Sequence, residues 1–385
     1  MELGSLNPDI SVYNKNSKRR GETDFSTMEL FIKVKAKKGD DPFRDDTSPF
    51  EHGTKDSTDT RNQVISYRVA HGATQFRTHI FSVLIINDRA RLMRWDSAGA
   101  VVTAAFPYCN RNSLLLEFFR RFDQLDPEKR GIDCSVSDPS ESESADARKV
   151  LDLKANVPLV KLAVHDNSTN KTTYYVGPMP TFMRHASPTG RCTRTFVAYD
   201  VQTGATVFLK DTWRIDLPDM HKEGDIYERL KQANISRIAP FVCGADVRDH
   251  RTRTEAYANK PWALPLSKAL RPHRQYRLVL AVVARPLTSF RSSWELVNAL
   301  ADALQGEYIL ALFMRRLTSN RFASAHKEAY EAGILHRDIS VGNIMITPEG
   351  RGLLIDWDMC KFIDDLPHIR QSERTVGPWL HQRCL

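Results

Sequence analysis

Alternating and apolar segments separated by turn residues predict a chain that mixes strands with helices. In the first 134 residues, four segments have the alternation or the apolar content of strands: 28–35, 81–86, 91–96 and 100–103. The last two flank a tight turn at 97–99. Apolar residues at helical spacing between Leu114 and Phe122 predict a core helix. We therefore expect an α/β domain in this half of the chain.

The second half of the chain also mixes strands and helices. Segments with strand character are 187–199, 206–210, 277–287, 344–346 and 353–355. Segments with helical spacing or helix signals are 223–230, 292–304 and 325–332, the last ending before Gly333. A turn at 348–350 joins the last two strands, so these strands are expected to form a hairpin.

One segment interrupts these patterns. Residues 135–146 are mostly serine and acidic residues, which cannot bury apolar surface. We predict a disordered acidic linker at 135–150, which separates an N-terminal α/β domain at 1–134 from the rest of the chain. A length of 385 residues, of which 41% are hydrophobic, is sufficient for two domains with cores of their own.

Composition argues against several classes of protein. No apolar run approaches the roughly 20 residues that cross a bilayer, and the N-terminus does not resemble a signal peptide. We therefore expect a protein inside the cell, cytoplasmic or nuclear, with no membrane partner. Six scattered cysteines without a Cys-x-x-Cys pair indicate neither a zinc site nor disulfides. A net charge of +8 does not by itself indicate a nucleic-acid partner, and no pattern indicates an oligomeric state.

The clearest chemical signal lies between residues 336 and 356. Arg337 and Asp338 follow His336 on a predicted loop, Asn343 comes five residues after Asp338, and Asp356 ends the hairpin. This spacing suits phosphoryl transfer from ATP, in which Asp338 would accept the proton of the acceptor hydroxyl. Asn343 and Asp356 would hold magnesium from one end of the hairpin. A buried hairpin with ordinary turn acids is the alternative interpretation.

The strand, turn and strand that end at Lys210 have the layout that carries an ATP-binding lysine. The loop before them has one glycine, Gly190, so we expect fewer backbone contacts to phosphate than a glycine-rich loop provides. Glu223 is expected to pair with Lys210 rather than Glu228, because the apolar stripe of that helix then faces the core.

The N-terminal domain has one weak chemical signal. Asp9 lies upstream of a strand that ends at Lys35, which resembles the PD-(D/E)xK nuclease core. The second acid of that motif is replaced by Lys33, and this change should abolish binding of a divalent metal. A degenerate nuclease-like fold without nuclease activity and an unrelated α/β domain are both open.

Taken together, these motifs resemble the fungal-type protein-kinase-like family. They are His-Arg-Asp-Ile-Ser-x-Gly-Asn-Ile-Met-Ile at 336–346, Ile-Asp-Trp-Asp at 355–358, Lys-Asp-x-Trp at 210–213, Met-Glu-Leu-Phe-Ile at 28–32 and Arg-Trp-Asp-x-x-Gly at 94–99. The resemblance implies an α+β, bilobal protein-kinase-like fold, with a small lobe at 151–285 and a large lobe at 286–385. It also implies ATP with magnesium as cofactors, and phosphorylation of Ser or Thr in a protein substrate of unknown identity.

The sequence departs from the family pattern in two places. Residues 305–324 intervene where members run directly from one helix to the next, which we attribute to a read-through intron. The chain also stops at Leu385, where a kinase large lobe would continue for about a hundred residues. A truncated large lobe is therefore expected, with weak activity at best.

Two other functions compete with a protein kinase. A small-molecule phosphotransferase of the aminoglycoside or choline kinase type has similar motifs, and a pseudokinase would keep the fold as a binding module. Arg337 favours the protein kinase, because it can pair with a phosphorylated activation segment around Ser372 and Thr375.

Overall fold

The computed structural model describes residues 6–15, 23–45, 50–110, 113–166, 169–179, 187–264, 270–304 and 325–364. Two large sheets organise these residues, one in each half of the chain. No helix among them is long and apolar enough to span a membrane. The intervening residues 305–324 and the expected activation segment around Ser372 lie outside the described residues.

The N-terminal half contains a six-stranded sheet with strand order β1-β2-β3-β4-β5, and β6 pairs with β4. Its strands are β1 (Ile10–Tyr13), β2 (Met28–Lys35), β3 (Ile80–Ile86), β4 (Arg89–Asp96), β5 (Gly99–Val102) and β6 (Phe106–Pro107). Helix α1 (Lys55–Thr74) connects the parallel strands β2 and β3, and α2 (Leu114–Gln124) follows the sheet. The four strands predicted in this half are therefore confirmed.

The two helices cover opposite faces of this sheet. Tyr67 of α1 shares a buried cluster with Phe31 and Leu84, whereas Phe122 of α2 packs with Leu30 and Val83. Because neighbouring strand residues point to opposite faces, both faces of β2 and β3 are buried. The α/β character of this half follows from the crossover helix.

Asp9, which the nuclease interpretation singled out, contacts two groups of β2. Its carboxylate accepts the Val34 N–H at 2.8 Å and forms an ion pair with Lys33 at 3.0 Å. The lysine that replaces the second acid thus neutralises the first. The nuclease-like fold itself stays a prediction.

The segment 135–150 is ordered, so the predicted disordered linker was wrong. Strand β7 (Val136–Ser137) joins the second sheet, and α3 (Glu141–Val150) follows it. A capping box starts this helix, because Ser140 Oγ accepts the Glu143 N–H at 3.2 Å and the Glu143 carboxylate accepts the Ser140 N–H at 2.8 Å. Ala147 is fully buried against the sheet. The serine and acidic residues here accept the N–H groups at the start of a helix and do not form a solvated linker.

Ser140→Ala should lower the free energy of unfolding by about 1 kcal/mol, the usual cost of losing a helix N-cap. Chemical denaturation of the two proteins measures the difference. Ser144→Ala is the matched control, since it removes the same hydroxyl from a position inside the same helix, away from the N-cap, and should cost little or nothing. Equal stability of wild type and Ser140→Ala would contradict a contribution from this cap.

The second sheet has seven antiparallel strands in the order β12-β13-β11-β10-β9-β8-β7. Its remaining strands are β8 (Leu159–Asp166), β9 (Lys171–Pro178), β10 (Arg194–Asp200), β11 (Thr206–Ile215), β12 (Phe241–Arg251) and β13 (His273–Leu280). Helix α4 (Glu223–Gln232) packs on it through the predicted stripe, since Ile226, Tyr227 and Leu230 are all at most 1% exposed.

The C-terminal residues form smaller elements around one core. They are β14 (Arg285–Pro286), α5 (Ser293–Leu304), α6 (Ala325–Glu331), β15 (Ile334–Leu335), β16 (Ile344–Ile346), β17 (Gly352–Leu354) and β18 (Lys361–Phe362). The hairpin of β16 and β17 is confirmed, with Ile344 opposite Leu354. Trp357 is fully buried in a cluster that joins α4, α5 and this hairpin.

A buried ionic network connects the two halves of the chain. Arg277 on β13 is completely buried and forms ion pairs with Asp133 at 2.9 Å and with Asp211 at 3.1 Å. Its third nitrogen donates to the carbonyl of Ala163 at 2.7 Å. Asp133 precedes β7, and Asp211 directly follows Lys210 on β11. The strand that carries Lys210 is therefore fixed to a residue of the predicted N-terminal domain.

Candidate active site

Lys210 lies at the centre of the candidate site. It sits in the middle of β11 and is 5% exposed. Its Nζ donates to Glu223 at 2.8 Å, to Asp356 at 2.5 Å and to Asp358 at 3.4 Å. Three segments far apart in sequence, β11, the start of α4 and the residues after β17, thus meet at one ammonium group.

The first turn of α4 holds Glu223 against this lysine, so the predicted pair with Lys210 is present. One carboxylate oxygen of Glu223 accepts from Lys210 and the other accepts the Trp357 N–H at 3.2 Å. The Gly224 N–H donates to the hydroxyl of Tyr276 at 3.0 Å. A Cβ at Gly224 would lie 2.5 Å from that oxygen, so only glycine allows the helix to start this close to β13.

The hairpin of β16 and β17 places Asn343 and Asp356 at the same end, as predicted. The Ile355 N–H donates to the Asn343 carbonyl at 2.9 Å, directly before Asp356. Asp356 has left-handed backbone geometry, with φ of +65°. Such geometry is costly for a residue other than glycine and is concentrated at functional sites.

The loop between His336 and Asn343 is held by its own side chains. The amide of Asn343 donates to the Asp338 carbonyl at 2.8 Å and to its carboxylate at 3.2 Å. The Asp338 N–H donates to His336 Nδ1 at 3.3 Å, so the neutral ring carries its proton on Nε2, which lies 3.0 Å from the Ile355 carbonyl. His336 thereby connects this loop to the segment that carries Asp356.

Arg337 and Gly190, the other two predicted site residues, differ in their surroundings. Arg337 is exposed and has a φ of +69°. Gly190 precedes β10 and donates its N–H to the carbonyl of Ser97 at 2.7 Å. This donor is therefore engaged by the N-terminal half of the chain rather than directed at a ligand.

A family model described as fungal protein kinase matches residues 35–316 and 322–378. This match includes most of both halves of the chain and every segment of the site above. The chain belongs to the fungal protein kinase family. Among curated protein sequences, none matches it.

The family match can be compared with the architecture that the sequence predicted for this fungal protein kinase family member. A kinase-like α+β fold is consistent with the described sheets and helices, and the family match begins at residue 35, inside the N-terminal sheet. Only residues 317–321 of the intervening segment fall between the two matched ranges.

Charge interactions dominate the site of this family member. Burial alone would lower the pKa of Lys210, but Glu223, Asp358 and Asp356 raise it well above the usual value, so the side chain stays an ammonium. Burial disfavours the Asp356 carboxylate, but Lys210 outweighs this effect and lowers the pKa of Asp356. Burial raises the pKa of Glu223 to about 7, and Lys210 opposes this shift.

Two residues of the site carried no role in the sequence analysis. Asp358 and Arg191 form an ion pair, and Asp358 also contacts Lys210. The signals were present: Asp358 follows Trp357 where other kinases have the glycine of Asp-Phe-Gly, and Arg191 follows the single glycine of the loop. With them, the cluster has three carboxyl groups and two cations, and hence one net negative charge when all three acids are ionised.

The donor atoms fit a magnesium ion. One oxygen each of Glu223, Asp356 and Asp358 lie within 4.8 Å of one another, and magnesium prefers such oxygen ligands. In the described part of the chain, Oδ1 of Asp358 is buried without a hydrogen-bond partner. Asn343 donates through its nitrogen, which leaves its amide oxygen as a further ligand.

His336 should make stability depend on pH. Burial lowers its pKa below 6.5, so its contribution is present above pH 6.5 and is lost as the pH falls through the lowered pKa. Protonation of Nδ1 would also break the bond from the Asp338 N–H. We expect wild type to lose more stability than His336→Gln between pH 7 and pH 5. Parallel stability curves, measured by denaturation at each pH, would refute this role.

Proposed function

We propose that this chain is an ATP- and magnesium-dependent protein kinase that phosphorylates Ser or Thr. The observation that carries the proposal is the meeting of Lys210, Glu223 and Asp356 in one buried cluster, directly after a hairpin that begins at Asn343. A structural ion pair needs one acid for one lysine. Here three acids outnumber the two cations, Lys210 and Arg191, and such an excess of carboxylates suits a site that also receives a divalent cation with phosphate.

The side chains would divide the binding of the nucleotide between them. Lys210, oriented by Glu223, would bind phosphate oxygens. Asp356, Asp358 and the amide oxygen of Asn343 would hold magnesium. When bound, magnesium neutralises charge on the β- and γ-phosphates.

Asp338 would act on the acceptor. Its carboxylate is exposed, and Asn343 fixes one of its oxygens, so the other is available to accept the proton of a hydroxyl. Arg337 would bind a phosphorylated activation segment, which supports a protein substrate over a small molecule. Gly190 would shape the loop above the nucleotide.

Binding of the nucleotide tests the first part of this proposal. Mg·ATP at about 100 times its dissociation constant should stabilise the protein by about 2.7 kcal/mol, which raises Tm by roughly 3 °C if the 385 residues unfold together. Removal of magnesium with EDTA should abolish most of the shift. Thermal unfolding with and without nucleotide measures it, and no shift at millimolar Mg·ATP would favour a binding module without nucleotide chemistry.

A further inference from the structure

The loop that precedes β10 is attached to the N-terminal half of the chain. Gly190 donates its N–H to the carbonyl of Ser97 at 2.7 Å, and the Ser97 hydroxyl lies 3.9 Å from Cys192 Sγ. Ser97 lies in the turn between β4 and β5 and is 4% exposed. This turn belongs to the motif Arg-Trp-Asp-x-x-Gly at 94–99, to which the proposed function assigns no role.

Asp96 fixes the turn itself. Asp96 is 1% exposed, and its carboxylate accepts the backbone N–H groups of Ala98 at 3.0 Å, Arg253 at 2.8 Å and Thr254 at 3.1 Å, and also pairs with the Arg94 guanidinium at 2.8 Å. The turn is therefore bonded to the residues between β12 and β13 as well as to the loop at Gly190.

The same loop is also attached to the strand that carries Lys210. The carbonyl of Arg191 accepts the Trp213 N–H at 2.7 Å and the Thr212 hydroxyl at 3.3 Å. Gly190 has a φ of +88°, which glycine adopts without steric cost. The backbone of Arg191 is thus fixed from both sides, between Ser97 and β11.

This attachment withdraws one backbone N–H of the loop, that of Gly190, from phosphate. A glycine-rich loop binds phosphate with its N–H groups, but this loop has a single glycine whose N–H is engaged with Ser97. The side chain of Arg191 compensates, because it enters the carboxylate cluster and pairs with Asp358. It retains 29% exposure, so a ligand can reach it.

We propose that Arg191 is a phosphate-binding residue of the nucleotide site and that the turn around Asp96 positions it. This inference rests on the proposed function. Without nucleotide, the guanidinium binds Asp358; with nucleotide, it exchanges Asp358 for oxygens of the terminal phosphates. A guanidinium suits this exchange because its planar set of N–H groups matches carboxylate and phosphate alike.

The test compares ligands with and without phosphates on the full chain. By calorimetry, Arg191→Gln should bind Mg·ATP about 10- to 100-fold more weakly, the usual effect of losing hydrogen bonds to a charged group, and should bind adenosine as wild type does. Arg191→Lys should recover part of the loss. Arg251→Gln removes the same charge from a half-exposed side chain on β12 that pairs with Asp216, and it should change neither affinity.

A change in the magnesium site cannot imitate this result. Loss of the Arg191 cation leaves Asp358 more available to magnesium, which would strengthen binding of Mg·ATP rather than weaken it. The inference is overturned if wild type and Arg191→Gln bind Mg·ATP with equal affinity, or if Arg191→Gln loses as much affinity for adenosine as for Mg·ATP. Either result leaves the proposed function intact. If wild type binds no Mg·ATP at all, both are wrong.

A double-mutant cycle tests the positioning by the N-terminal turn. Asp96→Asn weakens the acceptor of three backbone N–H groups and removes the ion pair with Arg94, so it should reduce Mg·ATP affinity severalfold in the wild-type background. In the Arg191→Gln background, the same change should have no further effect on Mg·ATP. Additive losses, or a loss of adenosine binding in Asp96→Asn, would show that the turn does not act through Arg191.

Discussion

Asp338→Asn is expected to lower the rate of phosphoryl transfer by about 100- to 10,000-fold, the usual contribution of a positioned general base. The change removes one negative charge and the proton-accepting oxygen while keeping the size of the side chain. Within the described residues, the hydrogen bonds of Asp338 go to His336 and Asn343 and not to Lys210 or Asp356. Binding of Mg·ATP should therefore remain as in wild type.

Transfer of labelled phosphate from ATP measures this effect, with a basic protein as the acceptor and with an aminoglycoside and choline as the small-molecule alternatives. Asp225→Asn makes the same chemical change at an exposed position of α4 and should retain full activity. Undiminished transfer by Asp338→Asn would exclude Asp338 as the base. Transfer to the small molecules alone would replace the protein kinase with a small-molecule phosphotransferase.

Arg277→Met is expected to lower the free energy of unfolding by about 3–5 kcal/mol, the usual cost of breaking a buried ion pair from one side. Burial disfavours the Asp133 carboxylate, but Arg277 outweighs this effect and lowers its pKa. Without the guanidinium, Asp133 and Asp211 lie close together as buried charges, and the side-chain amide of Gln275 donates to both. Since native proteins are stable by about 5–15 kcal/mol, this loss is a large part of the total.

Arg274→Met is the control for this experiment. Arg274 lies three residues earlier on β13 and is 30% exposed, and its contacts with Asp216 at 3.3 Å and Asp246 at 4.0 Å are longer than those of Arg277, so its loss should cost about 1 kcal/mol. Denaturation of the three proteins gives the comparison. Similar stability of the two variants would mean that the buried network contributes no more than a surface pair.

Elements with strong local patterns could be predicted from the sequence. The strand β2, the apolar stripe of α4 and the hairpin of β16 and β17 are all present in the structure, although β2 is buried on both faces and not only on the apolar one. In each case the pattern reflects burial of one element against whatever covers it, and it needs no knowledge of the partner. The pair of Lys210 and Glu223 followed from such a pattern, because the buried stripe left one acid facing the sheet.

Amino-acid composition gave the wrong prediction for residues 135–150, where a local helix-capping signal is present. Residues 135–150 have too few apolar residues to form a core, yet α3 is held against an existing sheet by a capping box, one buried alanine, the ion pair of Glu143 with Lys161 and the bond of Arg148 to the Val157 carbonyl. Composition measures how much apolar surface a segment can bury. It does not measure how well the segment fits a surface that other residues have already built.

The sequence by itself determined the family, the order of most elements and the spacing of the residues from His336 to Asp356, because each of these depends on residues close together in the chain. Tertiary structure alone decided that Arg191 and Asp358 join Lys210, that the turn after Asp96 holds the loop at Gly190, and that Arg277 connects the two halves. Among these contacts, the ion pairs of Arg191 and Arg277 join residues that are 66 to 167 positions apart in the sequence. A contact of that kind depends on how separately predicted elements pack, and a one-dimensional pattern of polar and apolar positions does not contain that information.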